Sequence, residues 1–310
     1  IIGNKSYKSS VSAPIIKIGI AAIAISIIVM LIAIATGIGL ERKIRDKAVA
    51  FNGHISISNF DSNGSEGAQV PISINQDFYP EFTTVAGVSH IQEVANKFGI
   101  IRTNTDFEGL FLKGVGSDYD WRYFKDFLVE GRLPVYTQKY SSEVLISTYL
   151  ADRLGFVVGD SFQMYFMKSD SSKAPSIMKY SIVGVFNSGF EELDKTYIIG
   201  DINHVQRLNR WSKDQIGNFE VFISNYNDLD RLGNEVYAQT PSTLNTLTVK
   251  QKYATIFEWI PIFTTNIYII LAIMIFVGAI NMITALLVLI LERTQMIGIL
   301  KALGSSNVSI

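Results

Sequence analysis

The sequence predicts a membrane protein in which transmembrane α-helices flank a large mixed α+β domain. Two observations support this class. The 310 residues have a mean hydropathy of +0.25, and the apolar excess is concentrated in two runs without a charged residue, 18–40 and 260–291. The segment 41–258 between the runs is long and polar enough to form a domain with a core of its own.

The first apolar run gives a transmembrane helix over 15–40, preceded by a cytoplasmic segment, 1–14. Its 23 uncharged residues exceed the roughly 20 that cross a ~30 Å hydrocarbon core. Pro14 precedes the run, as is common in a first helical turn. A buried core helix is the alternative, but such a helix is amphipathic, whereas this run is apolar on every side.

The second apolar run, within 259–291, is longer than one membrane crossing requires. An unbroken helix over 260–291 would be about 48 Å long, so we expect it to begin outside the membrane as a stalk. Small and polar residues within the two runs predict helix packing or a membrane cavity, although ordinary membrane composition also explains them. These residues are Ala33, Gly37, Asn266 and Asn281.

The distribution of charge predicts which parts of the chain face the cytoplasm. Segment 41–262 holds 22 of the 27 basic and 27 of the 28 acidic residues, a net charge of −5, and the ends are basic. Basic flanks mark the cytoplasmic side. We therefore expect an extracytoplasmic domain over 41–258 and a cytoplasmic segment over 292–310. An acidic domain of this kind is a poor nucleic-acid binder.

Within the domain, local patterns predict alternating strands and helices. We expect a hairpin from 160–167 and 180–186, joined by a polar loop that projects from the surface. Capping residues and apolar spacing also predict helices. The predicted helices cover 77–86, 120–132, 147–155, 201–210 and 227–240, and the other predicted strands cover 54–60, 90–104, 109–115, 144–146, 196–200 and 219–224.

Sequence signatures of catalysis are absent. There is no cysteine, no phosphate-binding G-x-x-x-x-G-K-[ST] and no G-x-S-x-G. The three histidines, His54, His90 and His204, are far apart and lack metal-site spacing. We therefore predict no catalytic, cofactor or metal site in this chain.

The end of the sequence resembles a known motif. Physically, Leu291–Ser309 predicts a short amphipathic helix, which could be no more than a solvated helix end. It also resembles the E-R-x-x-x-I-G-x-x-[KR]-A-x-G signature of the MacB/FtsX/Lol-type ABC permeases, in which this segment is the coupling helix that docks on the ATPase. The matching residues are Glu292, Arg293, Ile297, Gly298, Lys301, Ala302 and Gly304.

A second stretch, Gly131–Asp160, resembles the periplasmic core of the same family and implies a MacB-like core here. Within the family, Phe51–Ile55 and the terminal motif are most similar to lipoprotein-releasing permeases of the Lol type. In those proteins the hairpin matching 160–186 carries a hook for a periplasmic chaperone; a disordered tip is the alternative. The implied hook residues are Lys168, Ser169, Asp170, Lys173 and Pro175.

The resemblance implies a permease subunit, multi-pass in the bacterial inner membrane, that releases lipoproteins toward a periplasmic chaperone. Its partners would be a cytoplasmic ABC ATPase, which binds ATP and Mg, and a second permease subunit. This chain itself would not be an enzyme. Because family members have four spans, we expect about 100 further residues with two more apolar runs. The alternatives are a MacB-like exporter of peptides or drugs, an FtsX-like regulator of cell-wall hydrolases and a two-span membrane sensor.

Overall fold

A computed structural model describes residues 12–62, 67, 69–103, 105–137, 140–168 and 174–306, apart from the side chains of 12–16 and 292. The described chain forms helices and strands in mixed order. The helices are α1 (Ser12–Asn52), α2 (Thr148–Leu154), α3 (Glu191–Thr196), α4 (Ile202–Asn209), α5 (Leu229–Gln239), α6 (Val249–Lys252), α7 (Ala254–Glu292) and α8 (Thr294–Ala302). The strands are β1 (Ile55–Asn59), β2 (Ile72–Ser73), β3 (Val88–Arg102), β4 (Phe107–Val115), β5 (Leu128–Gly131), β6 (Glu143–Ser147), β7 (Ser161–Phe166), β8 (Ser176–Phe186), β9 (Tyr197–Asp201), β10 (Gln215–Ile216), β11 (Asn218–Ile223) and β12 (Leu244–Thr248).

The chain divides into two compact units. One consists of Ile1–Arg42 with Thr255–Ile310, and the other of Lys43–Ala254. Two helices are long and apolar enough to cross a membrane, Lys17–Asn52 and Ala254–Leu291, and the most apolar stretch of each is not buried. The first unit contains Lys17–Arg42 of the one and Thr255–Leu291 of the other. The structure thus has the predicted apolar helices at both ends of a mixed α and β domain.

The domain is built on one large mixed sheet. Its strand order among the described residues is β12-β1-β11-β3-β4-β9-β6-β8-β5, and β7 pairs with both β3 and β8. Most neighbours are antiparallel, but β4–β9 and β6–β8 are parallel. The predicted hairpin is present: β7 and β8 pair from Ser161 with Ser181 to Phe166 with Ser176.

Alternating side chains give the sheet two distinct faces. In the β3–β4 pair, Val94 lies opposite Val115 and, three residues further along, Lys97 lies opposite Leu112. Because side chains alternate along a strand, these two pairs point to opposite sides of the sheet. Val94 and Val115 pack in the aromatic core with Phe51, at the end of α1; we call this the α1 face. On the other side, a Cβ on Gly114 would lie 2.7 Å from the Cα of Ile202, so α4 packs closely there. We call this the α4 face.

Strong local signals fold as expected. The Ser147 hydroxyl accepts a hydrogen bond from the amide of Leu150 (3.2 Å) and caps α2. Gly155 ends that helix at φ +70°, the left-handed conformation that glycine adopts most easily.

The predicted helix over 120–132 is wrong. Asp120 does cap the segment, by accepting from the amide of Arg122, but only two short 3-10 turns follow, Trp121–Tyr123 and Lys125–Phe127. The chain then enters β5, which pairs with β8. Because ladder hydrogen bonds to a formed sheet outweigh weak helix preference, the tertiary context decides this segment.

The predicted helix over 77–86 is wrong as well, since this stretch forms turns. Pro80 lacks a backbone N–H and disfavours helical conformation in the residue before it. The apolar spacing instead brings Phe78 and Phe82 together in a stacked pair, with ring centroids 5.2 Å apart. Their periodicity thus reflects burial in a turn.

Candidate functional site at the junction of the domain

Residue Phe51, near the end of α1, is anchored in the domain core. It is 1% exposed, and its ring lies 5.1 Å from that of Phe124 and 5.8 Å from that of Phe186. Buried aromatic side chains contribute large apolar areas and favour tilted or edge-to-face contacts such as these. The last turn of α1 is therefore held by the core of the domain as an integral part of it.

Asn52, the last residue of α1, is bonded to the segment that precedes α7. Its Nδ2 donates to the hydroxyl of Tyr253 (2.7 Å) and to the carbonyl of Ala48 (3.3 Å). Its Oδ1 accepts from Nζ of Lys252 (2.6 Å). One amide side chain thus joins two segments of the domain that are 200 residues apart in sequence, the end of α1 and the residues just before α7.

A buried ion pair ties the same region to the middle of the sheet. Nζ of Lys113, on β4, lies 2.6 Å from Oε1 of Glu220, on β11, and the two side chains are 1% and 3% exposed. Lys113 also donates to the carbonyl of Phe51, and Nε2 of Gln92 donates to Oε2 of Glu220 (2.9 Å). Buried charges with several hydrogen bonds fix geometry strongly, because breaking one partner leaves a bare charge. We call Asn52, Lys113, Glu220, Lys252 and Tyr253 the junction.

The sequence reasoning above missed the junction. Its available signal is a single charge within a short, mostly apolar stretch: Lys113 in LFLKGV and Glu220 in NFEVFI. Charged side chains are almost never fully buried unless paired. Two such lone charges of opposite sign therefore predict a partnership, although their sequence separation of 107 residues hides it.

A second cluster in the domain consists of Glu93, Asp118 and Tyr79, which lie close together. Burial and the nearby Asp118 carboxylate raise the pKa of Glu93 to about 7. Oδ2 of Asp118 accepts from the amide of Glu93 (2.8 Å) and from the hydroxyl of Tyr79 (3.2 Å). Its Oδ1 is buried without a hydrogen-bond partner among the described residues. This arrangement favours a protonated Glu93 in the folded state.

The three histidines, His54, His90 and His204, make contacts within the domain. Burial lowers the pKa of His54 to about 4 and also lowers the pKa of His204. Nε2 of His90 lies 2.9 Å from the carbonyl of Asp118. Within the described ranges, no group of three or more His, Cys, Asp or Glu side chains is placed to hold a metal ion.

The terminal segment forms a helix of its own. α7 ends at Glu292, a turn follows at Arg293, and α8 begins at Thr294. Gly304 has φ +95°, and the Ser305 amide donates to the carbonyl of Leu300 (3.1 Å), which closes α8. Of the matched residues, Ile297, Gly298, Lys301 and Ala302 lie on α8, and the side chain of Glu292 lies outside the description. Their role in coupling stays a prediction.

The residues predicted for the hairpin loop and for helix packing are placed as follows. Lys168 and Pro175 are exposed, whereas Ser169, Asp170 and Lys173 lie outside the described residues. A Cβ on Gly37 would touch Cδ1 of Ile267, so these two helices pack closely at that point. Ala33 and Asn281 are half-buried and Asn266 is exposed. Roles in chaperone docking or in a membrane cavity stay predictions.

Comparison with known proteins shows which family this domain resembles. The family model for the MacB-like periplasmic core domain matches residues 18–252. No curated protein matches the chain. A solved structure of the periplasmic region of MacB from Actinobacillus actinomycetemcomitans is 14% identical, with a TM-score of 0.42, over 65% of this chain and 91% of that one. The extracellular domain of the noncanonic ABC-type transporter YknZ from Gram-positive bacteria is also 14% identical, with a TM-score of 0.38, over 63% and 99%.

The family model covers well over half of the chain, including nearly all of α1, the whole sheet and α6. The second apolar helix, α7, begins just after the matched region. The chain therefore belongs to the family of the MacB-like periplasmic core domain and is an ABC-transporter permease-type subunit.

Proposed function

We propose that this subunit belongs to an ABC transporter of the bacterial inner membrane that releases lipoproteins toward a periplasmic chaperone. A separate cytoplasmic ATPase drives the release, and a second permease subunit completes the membrane part. The lipoprotein assignment rests on the resemblance of Phe51–Ile55 and of the terminal motif to Lol-type permeases. The predicted multi-pass topology belongs to the same proposal.

The observation that carries the proposal is the junction. Asn52 bonds Lys252 and Tyr253, so the two chain segments leading to the apolar helices are held as one unit against the sheet. In our proposal, a motion of either helix is passed to this same part of the domain. Such a connection suits a subunit that transmits work from a partner ATPase and performs no chemistry itself.

The terminal helix supports the cytoplasmic end of this transmission. α8 is separated from α7 by a single turn residue, Arg293. Met296 on α8 and Leu303 directly after it are 49% and 77% exposed. Exposed apolar side chains on a short helix suit a surface that a partner covers. In our proposal, that partner is the ATPase.

A matched pair of glycine substitutions tests this coupling. A Cβ on Gly298 in α8 or on Gly278 in α7 would meet nothing within 4 Å, so neither change strains the isolated chain. We expect Gly298→Leu to block ATPase docking and to reduce ATP-driven lipoprotein release at least about tenfold, while basal ATPase activity continues. Gly278→Leu should leave release unchanged. The assay uses the full-length complex in proteoliposomes, with a labelled lipoprotein and soluble chaperone.

The outcomes separate the alternatives. Unchanged release in Gly298→Leu would contradict the coupling role. An intact complex that hydrolyses ATP but never releases the lipoprotein would reject that substrate and favour a MacB-like exporter or an FtsX-like regulator. Failure to co-purify any ATPase would favour the two-span sensor.

A further inference from the structure

A basic cleft lies between the loop end of the β7–β8 hairpin and the end of α4. Its volume is about 700 Å³, within the range of small-molecule sites. Cations from two strands, a strand end and one helix end converge on it. They are Lys97, Lys168, Lys179, Arg207 and Arg210.

The charge of this cleft is one-sided. No acidic side chain lines it among the described residues. Nζ of Lys97 donates to the neutral amide oxygen of Asn209 (2.7 Å), and burial lowers the pKa of Lys97. Within the described ranges, no ion pair joins Lys179, Arg207 or Arg210 to an acid. Gathering five like charges costs free energy, which an anionic ligand would offset.

Helix capping does not account for the cluster. Cations do stabilise a helix C-terminus, which explains an arginine near the end of α4. Lys97 and Lys179, however, come from β3 and β8. Arg210 also adopts φ 60°, a left-handed conformation that favours glycine, so a large cationic side chain stands at a position that strains the backbone.

The cleft also offers apolar surface. Met167 and Ile177 line it and are 54% and 55% exposed, and Met178 and Leu208 line it as well. A ligand with only charged groups would leave this surface in water. We propose that the cleft binds an amphiphilic polyanion of small-molecule size, with phosphate groups on the cations and an apolar body on these side chains.

Phosphate suits the cations in number and type. One phosphate group carries about −1.5 to −2 charges near neutral pH, so two such groups would balance most of the five cations. Arginine also binds phosphate through two parallel hydrogen bonds. Lys97 lies on the α4 face, opposite the junction, so this site is separate from the one that carries the proposed function.

Calorimetry on the full chain in a neutral detergent tests the proposal. The probes are a short-chain monomeric phosphatidic acid that carries a second phosphate on its headgroup, the matching phosphatidylcholine, sodium tripolyphosphate and a glutamate-rich peptide. We expect saturable binding of the phosphatidic acid, weakened by salt, and much weaker binding of the other three. Arg207→Glu with Arg210→Glu should weaken binding at least about tenfold. Lys125→Glu, an exposed cation outside the cleft, should leave it unchanged.

Each other result overturns a part of the proposal. If tripolyphosphate binds as tightly as the phosphatidic acid, the ligand is not an amphiphile. If the double variant binds like the unaltered chain, the cleft is not the site. If only a glutamate-rich peptide binds, the cleft takes an acidic protein segment instead. All three results leave the coupling proposal standing, because that proposal is tested through Gly298.

Discussion

In the domain, Ile55, Ile57 and Val221 are completely buried, whereas Ile275 and Leu291 in α7 are 62% and 66% exposed. The same residue types thus have opposite surroundings in the two units. The domain buries its apolar side chains against its own sheet, and each Å² removed from water contributes about 25 cal/mol. The helices leave theirs uncovered, which suits lipid or partner helices. Stability of the domain is therefore internal, and that of the helices depends on the surroundings.

The sharpest test of this contrast removes one buried charge in the domain. Lys113→Met leaves Glu220 buried without its cation, so we expect a loss of about 3–5 kcal/mol in the free energy of unfolding. Urea unfolding of the full chain in neutral detergent, followed by tryptophan fluorescence, measures it. Lys125→Met, at an exposed position, is the control and should change little.

A paired variant separates charge from packing at the same place. Lys113→Met with Glu220→Met replaces the ion pair by apolar groups, and we expect it to recover most of the stability lost in the single variant. A double variant as unstable as Lys113→Met would show that shape, and not the uncompensated charge, causes the loss.

The second prediction concerns pH. The pKa of Glu93 rises from its ordinary value of 4.5 to about 7, so folding takes up a proton in this window and stability falls as pH rises through it. Glu93→Gln should remove this slope. The variant should then exceed the unaltered chain by about 2 kcal/mol near pH 8 and match it near pH 5. Unfolding at a series of pH values measures the slope, and the exposed Glu130→Gln should retain it.

A smaller effect is expected at the junction. Tyr253→Phe removes the hydroxyl that accepts from Asn52, at a cost of about 1 kcal/mol. Thermal unfolding compares it with Tyr268→Phe, whose side chain is 67% exposed on α7. Equal melting temperatures for the two variants would argue against a stabilising role for this hydrogen bond.

The smallest effect should come from the apolar helices. Ile28 is 55% exposed, and Ile28→Leu conserves volume, so stability should change by less than about 0.5 kcal/mol. The matching change in the domain, Ile57→Leu, should cost more because that side chain is fully enclosed. Similar losses at both positions would break the contrast between the two units.

Local chemistry explains which parts of the fold were predictable. The long apolar runs, the cap of α2 at Ser147 and the stop at Gly155 depend on neighbouring residues only. The β7–β8 hairpin follows from two alternating segments close in sequence. By contrast, Leu128–Gly131 becomes a strand because β8 provides a partner, and no local signal contains that information. The junction was hidden for the same reason.

The functional regions likewise include one part that the sequence predicts and one that it does not. The terminal helix and its glycine stop could be read from periodicity and from one motif. The basic cleft could not, because Lys97, Lys179 and Arg207 are brought together only by the packing of α4 on the sheet. Cations scattered along an acidic domain give no sign in the sequence that they share one cavity.

The position of β1 in the sheet has a consequence for biosynthesis. This strand is the first of the domain to be made, yet it lies between β11 and β12, which are among the last. Ile55–Asn59 keeps two unpaired edges until residue 223 has been synthesised and one until residue 248 has been, and such edges invite pairing with other chains. The sheet closes late and through long loops, which makes folding slow. A newly made chain therefore exposes a strand edge for as long as its last strand is missing.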